Sequence, residues 1–205
     1  MKISYAIPYC GEWKELQKLL SVLSPVIAQG DEIIILVDET KVNFSDFVHE
    51  LNMPQVKTCG GKFTGNFADW KNHLNSLCTG DYIYQIDADE YPTEVFLQNI
   101  KAILEKNPDV EIYAVPRENR VEGLTDEDIQ NWGWRVTEDG LVNWPDYQWR
   151  LYKNKPDIKW QGKVHEKPVG FKSYAYLPAS HLFALTHNKD IERQRKQNNY
   201  YNTLG

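Results

Sequence analysis

Residues Ile33 to Val37 form an uninterrupted run of five apolar side chains that ends at the acidic pair Asp38-Glu39. A strand with one exposed face alternates apolar and polar residues, so an unbroken run predicts a strand covered on both faces. Parallel strands of this kind need long connections, usually helices, between them. The run therefore favours an α/β fold with helices on both faces of a sheet.

The first 116 residues continue this alternation. Apolar runs predict strands at 3–8, 82–86 and 110–116, and amphipathic spacing predicts helices at 12–23, 66–78 and 93–106. The segment with Gly60, Gly61 and Gly65 is expected to be a loop. We therefore expect a mostly parallel sheet with right-handed crossovers, whose ligands bind at the carboxyl ends of the strands.

After residue 117 the pattern changes. Five tryptophans lie between residues 132 and 160 with few helical periods, which indicates strands and loops, and the polar segment 189–204 is expected to be a helix. A length of 205 residues suits a single domain, 1–205.

Composition narrows the classes of function. The net charge of -6 argues against general nucleic-acid binding, which needs a positive surface. An odd number of cysteines, three, does not indicate a disulfide framework and favours a reducing compartment. No stretch approaches eighteen apolar residues, and the apolar start is too short for a signal peptide, so we expect a cytoplasmic protein without a transmembrane segment.

Acidic side chains follow the predicted strands. Tyr9, Asp38 and the cluster from Asp87 to Glu90 all lie just past a strand and are expected to line one crevice. A continuing strand would point Asp87 and Asp89 to the same side. Two converging carboxylates repel each other unless a cation lies beside them, and oxygen ligands suit Mg or Mn. The alternative is a solvated acidic turn, the more common outcome for an isolated Asp-x-Asp.

Two other patterns carry less weight. The segment from Gly60 to Asn66 has glycines near a helix start but lacks the Gly-Lys-Ser/Thr ending of a P-loop. Cys10 and Cys78 lack the partner spacing of a zinc site. We expect neither a P-loop nor a zinc site.

The segment from Asn66 to Glu90 resembles the helix, Gly-Asp turn, strand and Asp-x-Asp block of family 2 glycosyltransferases, with Lys71-Asn72 where Arg-Asn is usual. The stretches 149–154 and 160–166, which ends in Val164-His165-Glu166, are similar to the Arg-Leu-Phe to Val-His-Glu segment of one branch of that family. The resemblance implies a GT-A fold, with residues 1–116 binding a nucleotide sugar and 117–205 binding the acceptor.

The resemblance also implies roles for individual residues. The donor would be a UDP- or GDP-sugar and the acceptor a hydroxyl of a carbohydrate, glycolipid or other molecule. A divalent metal, Mn or Mg, would bridge the two phosphates and stabilise the leaving nucleoside diphosphate. The donor site would comprise Pro8, Tyr9, Asp38, Lys71, Asp87 and Ala88. The metal ligands would be Asp87 and Asp89, joined by either His187 or His165, although each imidazole could instead bond only backbone.

An inverting transferase needs a carboxylate that removes the proton of the acceptor hydroxyl. Glu166 occupies the place where many relatives carry a Glu-Asp pair, and Asp146 or Glu118 are the alternatives. Trp144 or Trp134 would be the aromatic platform for the acceptor, if these rings are not core residues. The cluster Arg193, Arg195 and Lys196 would close over the diphosphate or form a solvated helix face.

Two other functions share parts of this pattern. A sugar nucleotidyltransferase would carry glycines and positive charge directly after the first strand, where this chain has Pro8 to Glu12. A carbohydrate-binding module without turnover would be expected to lose an acid from the Asp-x-Asp motif or the later carboxylate, and this chain retains both.

Overall fold

The alternating segments of the sequence fold into one curled mixed sheet with helices on both faces in the computed structural model. The structure describes residues 1–204, with side chains to Asn199, and the last residue of the expected domain, Gly205, lies outside the described residues. The strands are β1 (Ile3–Tyr9), β2 (Glu32–Asp38), β3 (Val56–Gly61), β4 (Tyr82–Gln85), β5 (Glu90–Pro92), β6 (Ile112–Glu122), β7 (Val142–Lys153), β8 (Lys159–Gln161), β9 (Lys167–Val169), β10 (Tyr174–Tyr176) and β11 (Leu185–Asp190). The helices are α1 (Trp13–Leu23), α2 (Phe44–Leu51), α3 (Phe67–Ser76), α4 (Glu94–Lys106), α5 (Asp126–Trp132) and α6 (Ile191–Leu204).

The main sheet has the strand order β3-β2-β1-β4-β7-β6-β11-β5, with β10 also paired to β6. The first four strands of this order pair in parallel, as the sequence predicts. β7 runs antiparallel to both β4 and β6 and so joins the second half of the chain to the first. β8 and β9 form a separate two-stranded hairpin. The segment after residue 117 is therefore mainly strands and loops, as expected.

Helices cover both faces of the sheet. α1 and α4 bury apolar side chains against one face, and α3 packs on the other with Ala68 and Leu74. Each fully buried leucine contributes about 1.5–3 kcal/mol relative to an exposed one, so these stripes hold the layers together. None of the helices in the described part of the chain is long and apolar enough to cross a membrane.

The expectation that the whole glycine-rich segment is a loop was wrong in part. Gly60 and Gly61 belong to β3 and pair with β2, whereas the glycines had predicted a loop. A Cβ atom at Gly61 would lie 3.1 Å from the ring of Trp70 and 3.3 Å from His73. Glycine therefore serves the close approach of α3 to the sheet edge. β6 also extends to Glu122, well beyond the predicted end at residue 116.

A buried carboxylate ties three segments together at the amino end of the sheet. Glu32 on β2 accepts hydrogen bonds from the Ser4 hydroxyl at 2.6 Å and from the Thr79 amide at 2.7 Å, and it pairs with Lys57. Burial alone would raise the pKa of Glu32, but the hydrogen bonds from Lys57, Ser4 and Thr79 lower it well below its usual range.

Replacing Glu32 by Gln is expected to lower the free energy of unfolding by about 1–3 kcal/mol at pH 7, because buried donors lose a charged acceptor. The pKa in the folded state is lower than in the unfolded state, so this stability is present above the unfolded pKa of about 4.3. The difference between variant and wild type should therefore shrink as the pH falls below that value. Urea unfolding across pH measures it.

The exposed acid Glu105 on α4 provides a control, since Glu105→Gln should change stability by less than about 0.5 kcal/mol. A loss in Glu32→Gln that stays constant from pH 7 to pH 3 would contradict the role of the Glu32 charge.

Candidate functional site

A crevice of about 890 Å³ opens at the carboxyl ends of β1, β2 and β4. It brings together side chains from both halves of the chain. The predicted donor and metal residues line it together with two of the candidate bases: Pro8, Tyr9, Asp38, Lys71, Asp87, Ala88, Asp89, Asp146, His165, Glu166 and His187. The position of the crevice thus follows the rule for ligands of α/β sheets.

The Asp-x-Asp segment does not continue β4, contrary to the sequence expectation. The strand ends at Gln85, and Asp87 to Glu90 form a turn in which the Glu90 amide donates to the Asp87 carbonyl at 2.9 Å. The two carboxylates consequently meet different partners. Asp87 pairs with Arg150, whereas Asp89 contacts His187 and Arg193. The repulsion between them is therefore reduced by separate cations.

Beneath this turn lies a buried ion-pair network. Glu90, which is 0% exposed, accepts from Arg150 at 2.6 Å and from Arg117 at 2.8 Å. Arg117 also donates to Asp146 at 2.6 Å, and Arg150 reaches Asp87. Burial would raise the pKa of Glu90, but the charges of Arg150 and Arg117 lower it to about 2. The network keeps Glu90 ionised and fixes both arginines in the lining of the crevice.

A chain of hydrogen bonds fixes the orientation of His187. The Asn119 amide nitrogen donates to Asp146 at 2.7 Å, so the Asn119 amide oxygen faces His187 Nδ1 at 2.8 Å. Nδ1 must therefore donate, which assigns the proton of a neutral imidazole to Nδ1 and leaves the lone pair on Nε2. Nε2 lies 3.3 Å from Oδ2 of Asp89.

The protonation states of this pair follow from their surroundings. Burial lowers the pKa of His187, which favours the neutral imidazole, although the hydrogen bond with Asp89 opposes this. For Asp89, burial would raise the pKa, but the hydrogen bond and charge of His187 together with Lys189 lower it to about 2. Protonated His187 would donate from Nε2 to Asp89, whereas the neutral imidazole that burial favours leaves a lone pair on Nε2 beside the carboxylate. In the neutral form both atoms can accept a cation. Within the described residues, no group of three or more His, Cys, Asp or Glu side chains is placed to hold a metal ion.

Asp38 is buried at the end of β2 and organises the side of the crevice next to that strand. Its carboxylate accepts from the Thr40 amide at 3.0 Å and hydroxyl at 2.8 Å, and from the Phe63 amide at 3.2 Å. Tyr9 packs on Phe47 with ring centroids 4.8 Å apart. The hydrogen bonds of Asp38 to Thr40 and Phe63 therefore fix the loops that follow β2 and β3.

Lys71 and Glu166 form an ion pair across the crevice, with Nζ and Oε1 2.6 Å apart. The ammonium also lies 4.0 Å from the centroid of the Trp160 ring. Burial and the charge of Arg150 lower the pKa of Lys71, while the carboxylates of Asp87 and Glu166 oppose this shift. Lys71 therefore holds the Glu166 carboxylate inside the crevice.

The two alternative bases occupy different surroundings. Asp146 lines the crevice but accepts hydrogen bonds from Arg117, Asn119 and Gln148, and its pKa is lowered: the Arg117 charge and these bonds outweigh the effect of burial. Glu118 bonds His181 and does not line the crevice. Glu118 is therefore not placed to act as the base, contrary to that alternative.

The hairpin of β8 and β9 carries Glu166, and one amide of α3 fastens it. The Asn72 side chain donates to the Trp160 carbonyl at 2.9 Å and accepts from the Trp160 amide at 2.9 Å. The Phe67 amide adds a bond to the Lys163 carbonyl at 3.0 Å, and the Trp160 indole donates to the Tyr152 hydroxyl at 3.2 Å. Asn72 thus pairs with Trp160 as a neighbouring strand would.

The aromatic and basic residues of the second half divide into two groups. Trp134 lines the crevice, whereas Trp144 stacks on His181 outside it, so Trp144 is not the platform suggested by the sequence. Arg193 and Lys196 on α6 line the crevice, but Arg195 pairs with Asp128 and points elsewhere. The sequence pattern gave no role to Arg117, Asn119 and Arg150, although Arg150 lies inside a motif that it used. Glu90 was expected to line the crevice, but its side chain is fully buried.

The chain is similar to known proteins in sequence and in fold. The model of the family described as Glycosyl transferase family 2 matches residues 4–178. No significant match was found among curated protein sequences. Among solved structures, S. aureus TarS 1-349 in complex with UDP is similar with a TM-score of 0.57 at 15% identity, covering 86% of this chain and 61% of that chain. The complex of TarS 1-349 with UDP-GlcNAc gives 0.55 at 14% identity, covering 89% and 60%.

This chain thus spans about three fifths of the length of the TarS structures it matches. At such identities the likeness shows the fold, which is the GT-A type expected from the sequence.

Replacing Asn72 by Ala should loosen the hairpin, because the Trp160 amide loses its acceptor and its carbonyl loses its donor. Hydrogen exchange at residues 159–169 is expected to rise about tenfold or more, with β1 unchanged. Asn99→Ala is the matched control, since the side chain of Asn99 donates to a carbonyl of its own helix, that of Val95. Equal exchange in wild type and Asn72→Ala would show that other contacts hold the hairpin.

Proposed function

The chain belongs to glycosyl transferase family 2, and we propose that it transfers a sugar from a UDP- or GDP-sugar to a hydroxyl of a carbohydrate, glycolipid or other acceptor. Residues 1–116 would bind the donor and residues 117–205 the acceptor. The observation that carries the proposal is the pair of Asp89 and His187 in the crevice, where Oδ2 and Nε2 lie 3.3 Å apart and both can accept a cation when the imidazole is neutral.

These two groups suit a divalent metal that takes its remaining ligands from the diphosphate and water. A carboxylate with an imidazole favours Mn over Mg, which prefers oxygen ligands only. His165 also lines the crevice but lies on the hairpin with Glu166, so we assign His187 as the ligand. When bound, the metal supplies positive charge to the leaving diphosphate. Asp87, which pairs with Arg150, would contact the donor.

Basic side chains can serve the phosphates directly. Arg193 donates to Asp89 at 2.9 Å, and Lys196 also lines the crevice. A divalent ion at Asp89 would take over the neutralising role of Arg193, which would then be able to turn toward a phosphate. Lys71, Tyr9 and Pro8 would contact the nucleotide, with Asp38 and Ala88 shaping its pocket.

We assign Glu166 as the base. It would take the proton of the acceptor hydroxyl as that oxygen bonds to the anomeric carbon and the bond from that carbon to the diphosphate oxygen breaks, with inversion. Asp146 is less suited, because Arg117, Asn119 and Gln148 already donate to its carboxylate. Lys71 holds the Glu166 carboxylate in place at 2.6 Å.

The variant Glu166→Gln tests this function. Purified protein with Mn is incubated with a panel of UDP- and GDP-sugars, with and without glycan acceptors, and the released nucleoside diphosphate is measured. We expect release by the wild type with one donor, and a loss of about 10²-fold or more in Glu166→Gln with donor affinity unchanged.

Glu118→Gln is the matched control, because it makes the same chemical change at a glutamate outside the crevice and should retain activity. Normal release by Glu166→Gln would move the base to another residue. Formation of pyrophosphate in a parallel incubation with a nucleoside triphosphate and a sugar 1-phosphate would indicate a nucleotidyltransferase. Donor binding without release would indicate a binding module.

A further inference from the structure

Five aromatic side chains form a continuous surface beside the crevice, here named the aromatic strip: Tyr147, Trp149, Phe171, Tyr174 and Tyr176. The centroids of neighbouring rings lie 4.7 to 6.2 Å apart. Large apolar side chains at a surface usually mark a contact with a partner or ligand. Tyr174 and Tyr176 are 58% and 55% exposed, so the outer end of the strip is open to solvent.

Strand register explains why these rings meet. Tyr176 on β10 lies beside Ala114 on β6, which in turn lies beside Trp149 on β7. Paired residues point to the same face of a sheet. Because Ala114 is small, the rings of Tyr176 and Trp149 reach each other across it, with centroids 5.7 Å apart. The sheet therefore holds the strip as a rigid surface.

The strip is continuous with the crevice, since Tyr147 and Trp149 belong to both. The Tyr147 hydroxyl donates to the Leu177 carbonyl at 3.0 Å, which fixes its ring against Tyr176 at 4.7 Å. A molecule whose reacting end lies in the crevice would therefore extend over Trp149 and Tyr147 toward the exposed tyrosines.

The chemistry of the strip suits a chain of sugars. A sugar ring has an apolar C–H face and a polar edge, and a tyrosine offers an apolar ring face with a hydroxyl at its tip. We propose that the aromatic strip binds the non-reacting part of the acceptor, which makes the acceptor an oligosaccharide or polysaccharide rather than a single sugar. This inference rests on the proposed transferase function, and it selects a carbohydrate from the possible acceptors.

The test is a double variant, Tyr174→Ala with Tyr176→Ala, in which both replaced side chains are more than half exposed and so should not disturb folding. Binding of hexasaccharides of glucose, galactose and N-acetylglucosamine, and of the matching monosaccharides, is followed by tryptophan fluorescence without nucleotide. We expect at least one hexasaccharide to bind about tenfold or more tightly than its monosaccharide, and the double variant to lose this gain.

Val95→Ala is the matched control, because Val95 is an exposed apolar residue on α4, which packs on the opposite face of the sheet. It should bind as the wild type does. Equal hexasaccharide binding by the double variant, or no hexasaccharide binding by the wild type, would overturn the proposal. A wild-type dimer that the double variant dissociates, seen by analytical ultracentrifugation without sugar binding, would instead assign the strip to contacts between copies.

The two proposals can fail separately, because the nucleoside diphosphate assay does not depend on the strip. Release of nucleoside diphosphate by the wild type without any hexasaccharide binding would support the transferase function and contradict the role of the aromatic strip. Hexasaccharide binding that depends on the strip, without release of nucleoside diphosphate from any donor, would support the strip as a carbohydrate-binding surface and contradict the transferase function.

Discussion

The ion pair between Glu90 and Arg150 is the interaction on which the site depends. Both groups are buried, and Glu90 shares its charge with Arg117. Removing one partner of such a pair typically costs about 3–5 kcal/mol, because the remaining charge is left unpaired in the interior. These residues come from β5, β7 and β6, so the network also fastens the second half of the sheet beneath the Asp-x-Asp turn.

The same network also orients side chains of the crevice that do not contact Glu90. Arg117 and Asn119 both hold Asp146, and the amide of Asn119 in turn fixes the proton of His187 on Nδ1. The free lone pair on Nε2 then faces Asp89. Burial protects these hydrogen bonds, because solvent would compete for each of them at a surface position. In this account, the buried arginines position the two proposed metal ligands, Asp89 and His187, through other side chains.

Much of the architecture could be predicted from the sequence, because hydrophobic periodicity records burial along each segment. The run from Ile33 to Val37 is β2, and the helical spacing before Gly80 is α3. The crevice also gathers the predicted donor and metal residues. What failed depends on contacts between distant segments: Glu118 faces His181, and Gly61 makes room for Trp70. The network was missed for the same reason, since Arg150 is 60 residues from Glu90 and no local pattern reports their pairing.

The measurement that tests the central claim most directly is calorimetric titration of the protein with UDP and GDP, in Mn and in chelator. The account predicts that one of the two binds with Mn, that chelator weakens this binding about tenfold or more, and that Asp89→Asn removes the difference. Asp46→Asn, on the exposed surface of α2, should behave as the wild type. Binding of neither nucleotide, or equal binding by Asp89→Asn with and without Mn, would contradict the assignment of this crevice to a metal-held nucleoside diphosphate.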